Sequence, residues 1–163
     1  MITFISDKFK MPRKKRLTQK VITIIVIMTL AVSWMIAWDR TKGNQIRLDK
    51  AVQLMSDKQY DESLRLYNKV LKRWPRSKLA LTGKGLCELN LRQYEEALAS
   101  YDKILSLDPD NLQGLQGKGM SYEKLGRLDD AIRCYQRIQE LKPEVLHAKE
   151  HVARLRRLKA IIQ

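Results

Sequence analysis

The sequence predicts an all-α chain: a solenoid of three helical hairpins, closed by a C-terminal capping helix and preceded by one N-terminal transmembrane helix. Three observations lead there. The stretches YDESLRLYNKVLKRWP (Tyr60–Pro75), YEEALASYDKILSLDP (Tyr94–Pro109) and LDDAIRCYQRIQELKP (Leu128–Pro143) write one amphipathic pattern every 34 residues. Residues 21–38 read VITIIVIMTLAVSWMIAW, without a charge. The 32 basic residues outnumber the 18 acidic ones, but the net charge of +14 is unevenly placed. Residues 1–20 hold seven Lys/Arg against one Asp and the last 20 hold five against two, whereas residues 76–143 hold eleven against ten. The basic character belongs to the ends of the chain.

As a helix, the run 21–38 would be ~27 Å long, close to the ~30 Å hydrocarbon core of a bilayer. Trp34 and Trp38 stand at one end of it, where aromatic rings favour the water–lipid interface. Lys8, Lys10, Arg13, Lys14, Lys15, Arg16 and Lys20 precede it. By the positive-inside rule, residues 1–20 form a basic cytoplasmic segment and residues 39–163 lie across the membrane. Arg40, Lys42, Arg47, Lys50 and Lys58 on the other flank moderate that bias. Ala31-Val32-Ser33 has the small-x-small form of a signal cleavage site, but the apolar run continues to Trp38, which suits an uncleaved signal anchor better. A soluble core helix or a mitochondrial targeting helix would be amphipathic, and this one is apolar all round. A short linker, residues 39–43, is expected to hold the following domain close to the bilayer.

With each proline ending a unit, the repeats become 44–77, 78–111 and 112–145. Ala51, Gly85 and Gly119 share one column, and Ser63, Ala97 and Ala131 share another. Small residues there let two helix backbones approach. Tyr67, Tyr101 and Tyr135 follow four residues later, one turn along the same face. The pairs Asp61-Glu62, Glu95-Glu96 and Asp129-Asp130 fall in a first helical turn, where they complement the positive end of the helix dipole. Each unit therefore reads as two antiparallel helices joined at Lys58-Gln59, Arg92-Gln93 or Gly126-Arg127, with Pro75, Pro109 or Pro143 forbidding continuation.

This period and these columns resemble the tetratricopeptide repeat over residues 44–145. Units two and three match best. The first departs from the family pattern at Arg47, where a bulky apolar residue is preferred, and at Ser63, where Ala is. Such hairpins must stack to bury their apolar faces, and the terminal ones need caps. Val145, Ala148, Val152, Leu155 and Leu158 recur at helical spacing, so residues 146–163 are expected to form the capping helix and tail.

Catalytic chemistry finds little support. His147-Ala148-Lys149-Glu150-His151 has the H-x-x-E-H form of one metallopeptidase class, and a metallohydrolase using His147, Glu150 and His151 is a remote alternative. A zinc site would need a third protein ligand, and no Asp, Glu, His or Cys follows His151. Neither a metal nor any other cofactor is expected. Gly83-Lys84-Gly85 and Gly117-Lys118-Gly119 lie at packing columns inside helices, not in phosphate loops. Cys87 and Cys134 form no CxxC and read as buried packing residues. The N-terminal basic run is explained by a membrane flank without nucleic acid, and no small-molecule substrate is expected.

In tetratricopeptide proteins the first helix of each hairpin lines a concave, peptide-binding face. The resemblance places Leu48, Val52 and Met55 there from the first unit, with Gln45 and Ser56 beside them. The second unit contributes Leu79, Thr82, Leu86, Leu89 and Asn90, and the third Gln113, Gln116, Met120, Glu123 and Lys124. The family's chaperone-binding members clamp a peptide carboxylate with Lys, Asn and Arg. The matching positions here hold Leu48, Val52, Leu79 and Gly117, so that clamp is missing. What remains is an apolar strip edged by amides, suited to peptide or helix segments of membrane-associated proteins. The expected protein is a non-enzymatic, single-pass scaffold. It would be embedded through residues 21–38 in a bacterial inner membrane, with the repeats extracytoplasmic, supporting assembly or quality control of membrane or envelope proteins. The same fold facing the cytosol, as a receptor-like adaptor of the mitochondrial outer surface or a bacterial assembly factor, is the alternative.

Overall fold

A computed structural model describes the backbone of residues 13–162, and the side chains from Ile22 onward except at 36–37 and 39–41. The side chains of the basic segment 1–20 lie outside the described residues. Seven helices are described: α1 (Arg13–Ser56), α2 (Tyr60–Arg73), α3 (Lys78–Asn90), α4 (Tyr94–Leu107), α5 (Leu112–Lys124), α6 (Leu128–Leu141) and α7 (Leu146–Ile162). The chain divides into two compact units at Gly43/Asn44.

In the first unit, α1 is helical through residues 39–43, so the linker expected there is not a break in the backbone. The apolar side chains described between Ile22 and Met35 are exposed, and Trp34 and Trp38 stack with ring centroids 5.5 Å apart. Among the described residues, no helix is long and apolar enough to cross a membrane; Val21, Ile36 and Ala37 of the expected span fall outside the described side chains.

The second unit is built by one turn used three times. At the end of each first helix a residue adopts positive φ: Lys58 at 60°, Arg92 at 61° and Gly126 at 72°. The next N–H reaches back five residues, Gln59 to Leu54, Gln93 to Glu88 and Arg127 to Tyr122, at 2.8, 2.8 and 2.9 Å. This is a Schellman closure: it satisfies carbonyls that the helix end would orphan and reverses the chain. The second helices end at Trp74, Asp108 and Lys142, whose N–H groups reach Val70, Ile104 and Ile138 before the prolines intervene. Ser77 and Asn111 then cap α3 and α5, accepting from the N–H groups of Ala80 and Gly114 at 3.3 and 3.0 Å.

Three buried clusters form around Tyr67, Tyr101 and Tyr135, each about 1% exposed. A Cβ added at Gly83 would collide with the Tyr67 ring, and one at Gly117 with the Tyr101 ring. One added at Gly85 would lie 2.7 Å from Tyr101 Cζ, and one at Gly119 would lie 2.9 Å from Tyr135 Cζ. Tyr101 is therefore clasped between the first helix of its own hairpin and that of the next. Buried polar groups tie the same layers. Ser63 Oγ donates to the Ala51 carbonyl at 2.7 Å, and Ser100 Oγ donates to Glu88 Oε2 at 2.6 Å. Burial raises the Glu88 carboxyl above its usual range, opposed by the Ser100 hydrogen bond and by Lys84, 3.5 Å away. Cys87 and Cys134 are both buried free thiols, and their helices α3 and α6 do not touch.

The capping helix packs Ala148, Val152 and Leu155 into the third cluster, with Val145 against its edge. Leu158, expected to join them, is instead 39% exposed.

Four outcomes follow from this packing. Gly126 has open space around it, so Gly126→Ala isolates the left-handed backbone and should lower stability by about 1–2 kcal/mol in urea denaturation. Gly117→Ala should cost about 1–3 kcal/mol, because the Tyr101 ring must move. Tyr101→Phe should raise stability by about 1 kcal/mol, since that hydroxyl is buried without a hydrogen-bond partner. Glu88 holds its proton to higher pH in the folded chain than in the unfolded one. Its contribution is therefore full below the ordinary carboxyl value of 4.5 and is lost as pH rises through the raised folded value. Glu88→Gln keeps an acceptor for Ser100. The stability difference between variant and parent should grow in the variant's favour across that window, and a pH-independent difference would refute the assignment.

Candidate functional site

The helix contacts define an inner and an outer face. α3 touches α5, the first helices of successive hairpins, whereas the second helices α2, α4 and α6 do not touch one another. The stack therefore curves with its first helices inside. On these helices the columns turned toward the second helices are the buried ones, Ala51, Gly85 and Gly119 among them. The exposed columns face the hollow.

The side chains expected to line that face divide into three groups. Val52 and Leu79 are exposed at 46% and 60%, and Gln113, Gln116 and Lys124 are exposed as well. Met55, Thr82, Leu86, Leu89 and Met120 are half-buried, with Met55 and Leu89 resting on core clusters. The third group differs from expectation. Leu48 is 4% exposed and packs with Ala51, Tyr67 and Val70, so it belongs to the core and not to the lining. Glu123 is drawn toward α7, where Arg154 Nη2 meets it at 2.5 Å and His151 Nδ1 lies 3.2 Å from its other oxygen. Asn90 is exposed but turns its amide back to the Leu86 carbonyl at 2.7 Å.

Sequence reasoning missed the end of the hollow. Leu112 and Gln116 of α5, Tyr135 and Ile138 of α6, and Val145, His147, Ala148 and His151 around the start of α7 enclose a cleft of about 240 Å³. The signal was present: extending the 34-residue register one step puts His147 in the column of Leu79 and Gln113. His151 falls in the column of Gly83 and Gly117, and its ring stacks on Tyr135 at 4.5 Å and 13°. The two histidines do not converge as metal ligands. His147 is largely exposed beside Glu150, while His151 faces Glu123, and no metal-binding cluster exists among the described residues. The positions corresponding to a carboxylate clamp offer no cation: Leu48 and Gly117 are buried, and Val52 and Leu79 are apolar. The hollow can therefore hold apolar surface, with amides at its edge.

Solved structures share this fold. The first repeat domain of Spaghetti (RPAP3), bound to the HSP90 peptide SRMEEVD, superposes with a TM-score of 0.68 at 19% identity, over 72% of this chain and 93% of that one. The second such domain of human RPAP3, in complex with the HSP70 peptide SGPTIEEVD, gives 0.64 at 17%, over 68% and 92%. The repeat domain of Arabidopsis OM64 gives 0.67 at 20%, over 71% and 96%. No curated protein sequence matches the chain. Family models described as tetratricopeptide repeat match residues 48–111 and 113–145, between them well over half the chain. The chain belongs to the tetratricopeptide-repeat family, a family of protein-binding scaffolds and not of enzymes.

Proposed function

We propose that this chain is a membrane-anchored scaffold whose hollow binds an apolar or amphipathic peptide or helix of a membrane-associated protein. The observation that carries the reading is the apolar character of the exposed inner columns, Val52 and Leu79, continued by half-buried Met55, Leu86, Leu89 and Met120. Met and Leu side chains adapt to varied partners, and an exposed apolar strip of this kind marks an interaction surface. Two of the neighbours named above hold peptides ending in EEVD. The inner face here presents apolar side chains where a carboxylate would need cations, so its ligand differs in chemistry from those peptides.

Anchoring is supported by the uncharged run 21–38, by the exposed side chains described within it, and by the stacked Trp34 and Trp38. The basic residues ahead of the run favour a cytoplasmic N-terminus, which puts the three repeats and the capping helix outside a bacterial inner membrane. Confinement then does part of the binding. A site tethered to the bilayer meets membrane-associated partners at high effective concentration, so a weak groove suffices.

The two parts of the reading are separable. Ile25→Lys with Ile27→Lys places two charges in the run, each costing about 2.5–3.5 kcal/mol at a bilayer centre. The variant should be released by alkaline carbonate while the parent stays in the membrane pellet; equal extraction would remove the anchor. A photo-crosslinker at Leu89 or Met120 in native membranes should capture a defined protein, and Leu79→Asp should abolish that adduct. Unchanged crosslinking would remove the groove.

A further inference from the structure

The corner where α2 gives way to α3 carries a charge that the later corners cancel. From Ser63 to Cys87 the sequence holds seven Lys/Arg and no Asp or Glu. Lys69, Lys72, Arg73 and Arg76 are exposed and make no ion pair among the described residues. The first three stand at i, i+3 and i+4, on one face of the end of α2, and Arg76 follows in the turn. Trp74, between Arg73 and Arg76, is half-buried against the cluster of Tyr67. The 34-residue register makes the contrast plain. Arg76 stands in the column of Asp110 and Glu144, and Lys72 in that of Ser106 and Glu140. At the later corners acids and bases meet: Arg137 reaches Asp110 at 2.8 Å and Glu140 at 2.9 Å, and Asp108 draws Lys78 across at 2.9 Å. The first corner keeps its cations free.

Its place in the unit says what it can reach. Ser63 Oγ bonds the Ala51 carbonyl, and Leu48 packs with Tyr67 and Val70, so α2 runs antiparallel to residues 44–56 of α1. The last turn of α2 therefore ends beside Asn44, where the unit begins, with exposed Arg47 three residues further on. Residues 39–43 alone separate Asn44 from the uncharged run 21–38. The six steps from Trp38 to Asn44 span at most about 22 Å even when fully extended.

We propose that this corner docks on the anionic headgroups of the bilayer that holds the chain, a second membrane contact that orients the repeats on the surface. The inference rests on the anchored reading above. A cluster of Lys and Arg beside a membrane span is attracted to anionic lipid, and a tryptophan ring suits the headgroup level. Once the anchor is in place the second contact is intramolecular, so a handful of cations suffices where a free domain would bind weakly. Nucleic acid or an acidic protein would also match the charge, but the bilayer is the one polyanion that the chain itself holds within reach.

The test uses the full chain with Trp34→Phe and Trp38→Phe, which leaves Trp74 as its single tryptophan. It is placed in nanodiscs of phosphatidylcholine, with or without phosphatidylglycerol, that carry a headgroup nitroxide lipid. Trp74 fluorescence should be quenched at least twofold more strongly in the anionic discs, and high salt should remove the difference. Lys72→Gln, Arg73→Gln and Arg76→Gln together should bring quenching down to the zwitterionic level with the helical circular dichroism retained, whereas Lys72→Arg, Arg73→Lys and Arg76→Lys should preserve it. Quenching indifferent to lipid charge, or to the three neutral substitutions, overturns the proposal. A chain that does not enter nanodiscs removes the anchor and leaves the corner to be read on vesicles of the same two lipids, where the same quenching supports it and its absence overturns it. Binding of a fluorescent oligonucleotide that the neutral substitutions abolish, with no lipid-dependent quenching, would assign the corner to nucleic acid instead.

Discussion

Everything in the repeat unit depends on the contact between a tyrosine ring and a helix without side chains at that point. Tyr101 sits between Gly85 of its own hairpin and Gly117 of the next, so one side chain sets both the spacing within a unit and the spacing between units. An aromatic ring offers a large, rigid area with few rotamers, and glycine lets the backbone come up to it. The two features are useless apart. A Cβ at the glycine collides, and a smaller residue at the tyrosine leaves a void between two helices. Because each ring binds neighbours only, stability propagates from hairpin to hairpin and not through one central core. The three buried clusters, each centred on one such tyrosine, are the physical form of that coupling.

The layers are equivalent in shape and unequal in chemistry. Between α1 and α2 the hydroxyl of Ser63 bonds to a backbone carbonyl, and Cys87 Sγ lies 3.4 Å from it. Between α3 and α4 a buried carboxylate, Glu88, takes the hydroxyl of Ser100. The third layer is closed by a stack of His151 on Tyr135, with Glu123 held by the same histidine and Arg154. Burial and the nearby Glu123 carboxylate push the Tyr135 hydroxyl well above the ordinary tyrosine range, which keeps it neutral at any physiological pH. Polar groups thus distinguish interfaces that the apolar columns make alike, and favour the correct order of stacking over a slipped one.

Periodicity made the hairpins legible before any coordinates. The second helices begin at Tyr60, Tyr94 and Leu128, and the reversals fall at Lys58, Arg92 and Gly126, because a 34-residue repeat shows both the small columns and the turns. Two of those turn residues, Lys58 and Arg92, give no composition signal for positive φ; only their alignment with Gly126 does. The inner face was less legible. Leu48 and Val52 share a helix and a hydrophobic character, and only the packing of Tyr67 and Val70 separates a core residue from an exposed one. Glu123 looked free because its partners, His151 and Arg154, come from 28 and 31 residues away. The helical backbone through residues 39–43 was hidden by Gly43, which usually signals a break but is tolerated when the residues on both sides favour helix.

The division of labour between columns explains how such a chain can carry a specific function on a generic frame. Columns facing the second helices repeat almost without change: Ala51, Gly85 and Gly119. Columns facing the hollow do not: Gln45, Leu79, Gln113 and His147 share one position but bring an amide, an alkyl chain and an imidazole to it. A substitution in the first set meets a tyrosine ring and costs stability; one in the second set meets solvent or ligand and costs little. The exposed columns are therefore free to diverge, and their divergence is where recognition has to be written. His151 marks the boundary of that rule. It occupies a frame position where Gly83 and Gly117 stand earlier, yet it meets the Tyr135 ring face to face instead of yielding the space. The backbone of α7 must then stand off from that ring by the thickness of an imidazole, which opens the cleft beside Gln116 and His147. The departure from the repeat and the cleft at the end of the inner face have one cause.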